Sequence, residues 1–461
     1  MTRIENRTFA ELKIGDSASL TRQLTPDDIT LFAVMSGDVN PSHVDPEFAK
    51  SDLFHEVIAH GMWGGALISA VLGTELPGPG TIYLGQTLRF LRPVALGDTV
   101  VVTVKVAKKD DAGHRVQLDC TVTNQRGEPV IAGSAEVAAP TEKISRDRIV
   151  LPDVEMHERG RYYRQLLQRC RGLAPLRTAV VHPVDANALL GAAEAARAGL
   201  IVPVLVGPED KIRAAAALAQ IDLSPFTLVP TEHSHAAAAK AVELVRDHTV
   251  EALMKGSLHT DEFMHAVMGE PALRTERRIS HVFIIDAPGY PRPLYVSDAA
   301  VNIYPTLADK RDIVQNAIDL AHALGLAEPR VAILSAVETV SDKIRSTLDA
   351  AALCKMADRR QITGGIVDGP LAFDNAVSAE AAAIKGIVSP VAGRADVFIV
   401  PDIEAGNMLA KQLEYLAGAD LAGIVLGARV PIILTSRADK TLARLSSCAA
   451  ALLFARNKAS T

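Results

Sequence analysis

The stretch GMWGGALISAVLGTEL, residues 61–76, is apolar or small on nearly every side. A helix that is apolar all round is normally surrounded by protein, so this stretch predicts a buried helix. The chain after it alternates between apolar and polar positions and is rich in β-branched residues over 81–94, 98–109 and 114–125. Period-2 runs of this kind are typical of antiparallel strands, and residues 129–137 predict one more.

A second helix is predicted on the N-terminal side of this stretch. Thr25 has the residue type of an N-cap, Pro26 suits the first helical position, and acidic residues follow in the first turn. The helix is predicted to run to about Ser36 and to stop at Gly37. One buried helix wrapped by a curved antiparallel sheet is the hot-dog arrangement, so residues 1–139 predict an α+β hot-dog domain.

The sequence pattern changes near residue 140. Residues 140–155 are polar, charged and aperiodic, which predicts a linker. In residues 156–461, short apolar runs alternate with alanine-rich helical stretches. Nearly continuous apolar strands separated by helices indicate parallel sheets covered on both faces. The second region is therefore predicted to be an α/β domain, and the protein to be multidomain.

Composition argues against several classes of protein. The chain of 461 residues is too long for one core and suggests about two to four domains. A formal net charge of −6 argues against a surface for nucleic acid or anionic membrane, and no run approaches the ~20 apolar residues of a membrane span. Four scattered cysteines and an N-terminus without a secretory pattern predict a cytoplasmic protein with reduced thiols.

The short stretch SGDVNPSH, residues 36–43, contains more than a turn requires. A glycine and an Asn-Pro pair are expected of a rigid bend after a helix, but a bend needs neither Asp38 nor His43. A carboxylate and an imidazole that share one water can activate it and move its proton, which contributes about 10²–10⁴-fold when the groups are positioned. The structural alternative is that Asp38 caps a backbone turn and His43 is a surface residue.

The start of the buried helix supplies a second feature. Free N–H groups at a helix N-terminus would stabilise a developing enolate oxygen, and Gly61 allows close approach to the backbone. The segments FAVMSGDVNPSHVD (32–45), IAHGMW (58–63) and LRFLRPVALGDTV (88–100) together resemble the MaoC-like (R)-specific enoyl-CoA hydratases. The resemblance covers roughly residues 10–138.

This resemblance implies syn addition of water to a trans-2-enoyl-CoA, which gives an (R)-3-hydroxyacyl-CoA. By the resemblance, Asp38 would take the water proton and return one to Cα, and His43 would hold and polarise the water. The Gly61 N–H would bind the thioester oxygen. Asn40 is predicted to be one of the substrate-binding residues and would stabilise the conformation of the loop. The sequence leaves open which of Asp38 and His43 delivers the proton.

The second region places polar residues after predicted parallel strands, where ligands bind in open α/β sheets. These predicted substrate-binding residues are Lys255, Ser297, Asp298, Asn302, Ser335, Asp368, Asn407 and Lys411. The segment VPIILTSRADK, residues 430–440, is an apolar strand that ends in Ser436, Arg437 and Asp439. An Arg fork matches phosphate oxygens, a hydroxyl can donate to an oxyanion, and a carboxylate can take a thiol proton. The structural alternative is that the two aspartates among the substrate-binding residues cap the helices that follow them.

The segments DAAVNIYP, DGPLAFDN, VPDIEAGNMLAKQL and LTSRAD resemble the phosphate acetyl/butyryltransferases, and look closer to the butyryl branch. The resemblance extends over nearly all of residues 156–461. It implies reversible transfer of an acyl group between CoA and phosphate in a ternary complex. The family fold further implies two parallel-sheet subdomains with a cleft, and a likely inserted subdomain at about residues 287–435.

Three catalytic roles follow from this second resemblance. Ser436 would stabilise the carbonyl oxyanion and Arg437 the phosphoryl group, and Asp439 is assigned as the base. The catalytic base is where the sequence differs from the acetyl branch. The position of the base proposed for that branch corresponds to Ala443, or a residue near it, in this chain.

The two resemblances together predict a bifunctional enzyme, an enoyl-CoA hydratase (a lyase) fused to a phosphate acetyl/butyryltransferase. One alternative is a phosphate acyltransferase with a non-catalytic hot-dog domain for dimerisation or acyl-CoA sensing, and another is a non-catalytic CoA-binding regulator. The predicted substrates are CoA thioesters, acyl-phosphate and phosphate, with no bound cofactor and no metal. Because hot-dog sheets commonly pair edge to edge, a homo-oligomer, dimer or higher, is also expected.

Overall fold

The computed structural model describes residues 3–152, 154, 156, 159–434 and 440–458. The chain forms two compact units that divide between residues 156 and 157. This division falls just after the predicted linker of residues 140–155, but residues 145–147 of that segment form a strand paired with Arg3–Glu5 and so belong to the N-terminal unit. Within the described ranges, no helix is long and apolar enough to cross a membrane.

The N-terminal unit combines antiparallel strands with one long helix. Its elements are β1 (Arg3–Glu5), β2 (Ser17–Gln23), α1 (Pro26–Ser36), α2 (Pro41–Val44), α3 (Pro46–Ser51), α4 (Gly61–Thr74), β3 (Ile82–Phe90), β4 (Thr99–Asp110), β5 (Arg115–Thr123), β6 (Pro129–Ala138) and β7 (Ser145–Asp147). In the part of this unit that the structure describes, a five-stranded antiparallel sheet has the order β2-β4-β5-β6-β3, and β1 pairs with β7. The four strands predicted between residues 81 and 137 are present as β3 to β6.

One face of this sheet packs against α4. Strand β5 buries every second side chain from Val116 to Val122, as the period-2 pattern predicts. Ile68 and Leu72 of α4 enter the same hydrophobic core. Burial of this apolar face stabilises the unit by about 25 cal/mol for each Å² removed from water. The arrangement of one helix against a curved antiparallel sheet is the predicted hot-dog arrangement.

Helix α1 begins and ends where the sequence predicts. The Thr25 side chain accepts a hydrogen bond from the Asp28 N–H, and the Asp28 carboxylate accepts one from the Thr25 N–H, which forms a capping box. Gly37 ends the helix in the left-handed conformation with φ of 76°. These caps fix both ends of α1, and Asp38 directly follows its C-terminal cap.

One prediction about this unit is wrong in detail. Helix α4 is not buried on every side, because Met62 is 55% exposed within the single chain. The Asn-Pro bend continues into the short helix α2, in which Pro41 takes the first position. The reason is that the Asn40 side chain accepts a hydrogen bond from the Ser42 N–H and so caps a helical turn.

The C-terminal unit alternates helices and strands. Its elements are α5 (Arg161–Arg169), β8 (Leu176–Val181), α6 (Ala186–Arg197), β9 (Ile201–Gly207), α7 (Glu209–Ala219), β10 (Thr227–Pro230), α8 (Ser234–Arg246), β11 (Ala252–Lys255), α9 (Thr260–Gly269), a 3₁₀ turn (Pro271–Leu273), β12 (Ser280–Asp286), β13 (Leu294–Ser297), α10 (Leu307–Ala323), β14 (Arg330–Leu334), α11 (Arg345–Asp358), β15 (Ile366–Leu371), α12 (Phe373–Val377), α13 (Ala379–Ile384), β16 (Val397–Ile399), α14 (Ile403–Tyr415), β17 (Asp420–Leu426), β18 (Ile432–Ile433) and α15 (Thr441–Lys458).

Among the described residues, the strands of this unit form one sheet of eleven strands in the order β10-β9-β8-β11-β18-β17-β12-β13-β16-β14-β15. The strands from β10 to β18 in this order are parallel, and so are those from β13 to β15. Between these two groups, β17 and β12 pair antiparallel with each other and with their outer neighbours. The sequence predicts parallel sheets. The structure instead has one sheet, in which the outer strands on both sides are parallel and the central strands are antiparallel.

This antiparallel centre decides where strand ends lie. β13 runs opposite to β12, and β12 runs in the same direction as β18, because β17 lies antiparallel between them. The C-terminal ends of β11 and β18 therefore lie at one edge of the sheet, and those of β13, β14 and β15 lie at the other. The inserted subdomain at about residues 287–435 and the cleft stay predictions.

Candidate active sites

The segment between α1 and α2 is shaped by its own short polar side chains. Gly37 lets the chain turn sharply after α1. The Ser36 hydroxyl accepts a hydrogen bond from the Asp38 N–H at 3.2 Å, and the Asp38 carboxylate accepts one from the Asn40 N–H at 3.2 Å. Asn40 in turn accepts a hydrogen bond from the Ser42 N–H. These bonds hold the backbone at Asp38 while Asp38 itself stays exposed.

His43 lies in α2 and is half-buried. Its Nδ1 is 2.9 Å from the backbone carbonyl oxygen of Ile58. Because a carbonyl oxygen only accepts hydrogen bonds, Nδ1 carries the proton of the neutral ring and Nε2 keeps its lone pair. His43 can therefore accept a hydrogen bond from water at Nε2.

Asp38, His43 and His60 come together although they are distant along the chain. One carboxylate oxygen of Asp38 and one ring nitrogen of each histidine all lie within 4.8 Å of one another. The two imidazole rings lie in contact, with their centroids 4.1 Å apart and their planes tilted by 37°. Groups this close can hydrogen-bond to the same water molecule.

The same three side chains are of types that can hold a divalent metal ion. Each ring, however, directs one nitrogen at a backbone carbonyl: His43 Nδ1 at Ile58 and His60 Nε2 at Asp38. A nitrogen that donates to a carbonyl carries a proton and has no lone pair for a metal. A metal would therefore have to use the other nitrogen of each ring.

Helix α4 supplies an amide donor next to these side chains. Its N-cap is His60, whose side chain does not cap the helix. Within the part of the chain described, no group accepts a hydrogen bond from the Gly61 N–H. A Cβ atom at Gly61 would lie 3.1 Å from the Phe90 ring, so a side chain at this position would crowd the approach to the amide.

A cavity of about 290 Å³ adjoins these groups. Its lining includes His43, His60 and Gly61, together with apolar side chains such as Trp63, Phe90 and Ile131. A mostly apolar cavity with a few convergent polar groups is the usual form of a small-molecule site. The sequence analysis predicted Asp38, His43 and Gly61 but missed His60. The only signal for His60 was its place directly before Gly61 at a helix start.

The predicted catalytic residues of the second region, Ser436, Arg437 and Asp439, lie outside the described residues. The strand that leads to them is described as far as Leu434. This strand, β18, pairs in parallel with β11, whose last residue is Lys255. Lys255 therefore lies at the sheet edge at which β18 ends.

Ser297, Asp298 and Asn302 lie together at the opposite edge of the sheet and are buried. The Ser297 hydroxyl donates to the His281 carbonyl at 2.8 Å, and the Asn302 amide donates to the Ile279 carbonyl at 2.8 Å. The Asp298 carboxylate accepts hydrogen bonds from three backbone N–H groups that follow it. Burial raises the pKa of Asp298, although these hydrogen bonds act in the opposite direction. This cluster therefore lies at the other edge of the sheet from Lys255, and its assignment to the substrate site stays a prediction.

Ser335 and Asp368 lie on the neighbouring strands β14 and β15. Ser335 directly follows β14, and its hydroxyl is 2.8 Å from that of Ser346. Asp368 lies inside β15, where its carboxylate accepts the Gly369 N–H at 2.8 Å. It is therefore neither a residue after a strand, as predicted, nor the helix N-cap of the structural alternative.

Asn407 and Lys411 are one turn apart on α14. The Asn407 amide donates to the Ala299 carbonyl at 3.4 Å, which joins α14 to the segment after β13. Lys411 forms an exposed ion pair with Glu414 at 2.9 Å. Neither contact involves the edge of the sheet at which β18 ends, and their assignment to substrate binding stays a prediction.

These features define a two-unit protein with a hot-dog domain followed by an α/β domain. A family model described as "Phosphate acetyl/butaryl transferase" matches residues 230–451, and one described as "MaoC like domain" matches residues 11–126. The phosphate acetyltransferase of Rhizobium meliloti is 62% identical over 297 residues, which cover 64% of this chain and 94% of the relative. The chain belongs to the phosphate acetyl/butyryltransferase family and carries a MaoC-like domain before the transferase region.

Two further proteins are similar to parts of this chain. The phosphate butyryltransferase of Clostridium acetobutylicum is 40% identical over 297 residues, covering 64% of this chain and 99% of the relative. Relatives named for either acyl group are therefore similar to the C-terminal region, and the predicted closeness to the butyryl branch stays a prediction. The R-hydratase PhaJ1 from Pseudomonas aeruginosa, solved in the unliganded form, is 48% identical, with coverage of 34% of this chain and 99% of that chain and a TM-score of 0.33.

Proposed function

We propose that this protein is a bifunctional enzyme. Its N-terminal unit adds water to trans-2-enoyl-CoA to give (R)-3-hydroxyacyl-CoA. Its C-terminal unit transfers an acyl group reversibly between CoA and phosphate. The observation that carries the hydratase proposal is the His43 geometry. The bond from Nδ1 to the Ile58 carbonyl leaves Nε2 as an acceptor near the Asp38 carboxylate, and His43 and Gly61 line the same cavity.

In the proposed hydration, a single water molecule donates two hydrogen bonds. One goes to the Asp38 carboxylate and the other to His43 Nε2. Asp38 takes a proton as the water oxygen bonds to Cβ, and electron density moves through Cα to the thioester oxygen. The Gly61 N–H donates to this oxygen, which carries the developing charge. Asp38 then returns a proton to Cα on the same face, so the elements of one water are added. The proposal assigns this proton to Asp38, because the ring proton of His43 is engaged with the Ile58 carbonyl.

The hydratase proposal is tested with purified full-length protein and trans-2-enoyl-CoA substrates of several chain lengths. Asp38→Asn keeps an oxygen for the Asn40 N–H but removes the base, so the hydration rate is expected to fall by about 10²–10⁴-fold. Asp27→Asn removes the same charge from the exposed first turn of α1 and serves as the matched control. Oxidation of the product by an (R)-specific dehydrogenase reports its configuration. Equal rates for wild type and Asp38→Asn would refute the mechanism.

Absence of hydration by the wild type with every enoyl-CoA, in a well-folded protein, would favour the second candidate function. In that case the hot-dog unit is a non-catalytic module for dimerisation or acyl-CoA sensing. The exposed apolar side chains of its outer strand, such as Ile82 and Leu84, favour a partner at this edge.

The transferase proposal is supported by the 62% identity to a phosphate acetyltransferase. In the proposed step a phosphate oxygen attacks the thioester carbonyl carbon, the acyl–sulfur bond breaks, and the CoA thiolate takes up a proton. Ser436 would donate to the oxyanion, Arg437 would bind the phosphoryl oxygens, and Asp439 would exchange the thiol proton.

Phosphate-dependent release of CoA from acetyl-CoA and butyryl-CoA tests this activity. Arg437→Ala is expected to reduce it by at least about 10²-fold, because a donor to developing charge is lost. Arg429→Ala, which removes an exposed arginine nearby in sequence, is the control. Phosphate-dependent release that persists in Arg437→Ala would contradict the assigned role, and the ratio of the two acyl-CoA rates decides between acetyl and butyryl preference.

A further inference from the structure

His60 is a buried imidazole that the proposed hydration mechanism does not use. It directly precedes α4, and only 2% of its surface is exposed. Its ring lies next to two others, with centroid distances of 4.1 Å to His43 and 4.9 Å to Phe32. Phe32 belongs to α1 and His43 to α2, so the ring of His60 is packed between the helices on either side of the Asp38 loop.

One directed hydrogen bond joins His60 to that loop. His60 Nε2 is 3.0 Å from the backbone carbonyl oxygen of Asp38. Because the carbonyl accepts, Nε2 carries the proton of the neutral ring. Nδ1 is buried and has no hydrogen-bond partner within the residues described. The bond to the Asp38 carbonyl is therefore the hydrogen bond that this ring makes to the described residues, and it holds the backbone of Asp38.

The backbone of His60 is part of the helix start that presents the Gly61 N–H. Its carbonyl accepts a hydrogen bond from the Trp63 N–H at 2.9 Å in the first turn of α4, and the next residue is Gly61. A single residue thus joins the backbone of Asp38 to the helix start that presents the Gly61 N–H.

We propose that His60 is a positioning residue that sets the distance between the Asp38 carboxylate and the Gly61 amide, an inference that rests on the proposed hydratase function. Hydration requires that both protein groups contact one substrate molecule at the same time. Asp38 must lie at the reacting carbons and the Gly61 N–H at the thioester oxygen. A misplacement of about 1 Å in such a pair reduces the rate by about 10²-fold. His60 acts on the reaction only through the two residues that it holds.

Two amide substitutions separate this role from simple packing. In His60→Gln, the side-chain amide nitrogen can occupy the place of Nε2 and donate to the Asp38 carbonyl. In His60→Asn, the amide nitrogen can reach only the place of Nδ1, and the bond to Asp38 is lost. We expect kcat for enoyl-CoA hydration to fall by about 10- to 100-fold in His60→Asn and to stay within about threefold of wild type in His60→Gln. KM should change less than kcat in both variants.

The control variants distinguish failure of this inference from failure of the hydratase proposal. Asp38→Asn must lower the hydration rate by about 10²–10⁴-fold if the proposed function is correct, whatever His60 does. His114→Gln changes an exposed histidine in the turn between β4 and β5 and is expected to retain full activity. Near-ultraviolet circular dichroism of each variant verifies that the hot-dog unit is folded.

Two results would overturn the inference. One is a His60→Asn variant that is folded and as active as His60→Gln, because the hydrogen bond to Asp38 would then be irrelevant. The other is an equal loss of kcat in both variants, which would indicate that the ring contacts with Phe32 and His43 matter rather than the Nε2 donor. If the wild type itself does not hydrate enoyl-CoA, the hydratase proposal fails instead.

Discussion

His281 places a titratable ring in the core of the C-terminal unit, within β12. Burial lowers the pKa of His281 from its ordinary value to about 3, because a charged imidazole there loses its hydration. The ring is therefore neutral in the folded protein, whereas the unfolded chain takes up a proton below about pH 6.5. Since the folded pKa is depressed, the associated stabilisation is fully present above the unfolded value. It is lost as the pH falls toward the folded value.

His281→Leu is expected to flatten the pH dependence of unfolding of the C-terminal unit. Between about pH 7.5 and pH 5, the wild type should lose ~2 kcal/mol of unfolding free energy through this residue, and the variant should not. Urea unfolding followed by far-ultraviolet circular dichroism at several pH values measures the slope. His265→Leu alters an exposed ring in the same unit and should keep the wild-type slope. Identical slopes in wild type and His281→Leu would contradict the burial argument.

Candidate site residues could be predicted where they lie together in one short segment of the sequence. Asp38 and His43 could be singled out because a turn requires neither, and the turn is encoded within eight residues. His60 could not be singled out in the same way, since its partner Asp38 is 22 positions away in the chain. Its hydrogen bond exists only because α1 and α4 are brought together by the fold.

Helix α1 shows how a local signal fixes a secondary-structure element that carries a site. The capping box between Thr25 and Asp28 starts the helix, and Gly37 ends it directly before Asp38. The salt bridge from Arg22 to Asp28 at 2.7 Å adds a further contact to the same carboxylate. The position of Asp38 is therefore coupled to the stability of the helix start.

Thr25→Ala is expected to destabilise the N-terminal unit by about 1 kcal/mol, because the N–H of Asp28 loses its acceptor. Trp63 is the single tryptophan of the chain and is buried in this unit, so its fluorescence during urea unfolding reports on this unit alone. Thr30→Ala lies on the exposed side of the same helix and is the matched control. A midpoint for Thr25→Ala equal to that of the control would mean that the cap does not limit stability.

Strands were predicted better than their arrangement. The period-2 runs of β3 to β6 are local patterns, and each predicted strand is present. The directions of β12 and β17 were not predicted, because an apolar strand has the same sequence pattern in a parallel and an antiparallel pairing. That difference separates Lys255 from the buried cluster of Ser297, Asp298 and Asn302.

The two units each contain a hydrophobic core of their own. The core of the hot-dog unit is built from residues between Phe9 and Ala139. Strand β7 pairs with β1 and so completes this unit as far as Asp147. A chain that ends shortly after β7 therefore keeps the core, the sheet and the candidate hydratase site.

A fragment of residues 1–150 is expected to fold and to hydrate enoyl-CoA with a kcat within about threefold of the full chain, because all groups of the candidate site and its core are retained. Native fluorescence of Trp63 and a cooperative urea transition would verify folding. The same fragment with Asp38→Asn is the inactive control. A folded fragment without activity would mean that hydration needs the C-terminal unit.

Sequence alone was enough to predict the two families, the caps of α1, the antiparallel strands of the hot-dog sheet and the Asp38–His43 pair. These depend on residues that are close along the chain or on segments matched as a whole. The folded chain was needed to show that His60 hydrogen-bonds to Asp38, that β12 and β17 are antiparallel in the sheet, and that Asp368 lies inside a strand. Contacts between distant segments and the direction of buried strands depend on how the whole chain packs, and no short stretch of sequence contains that information.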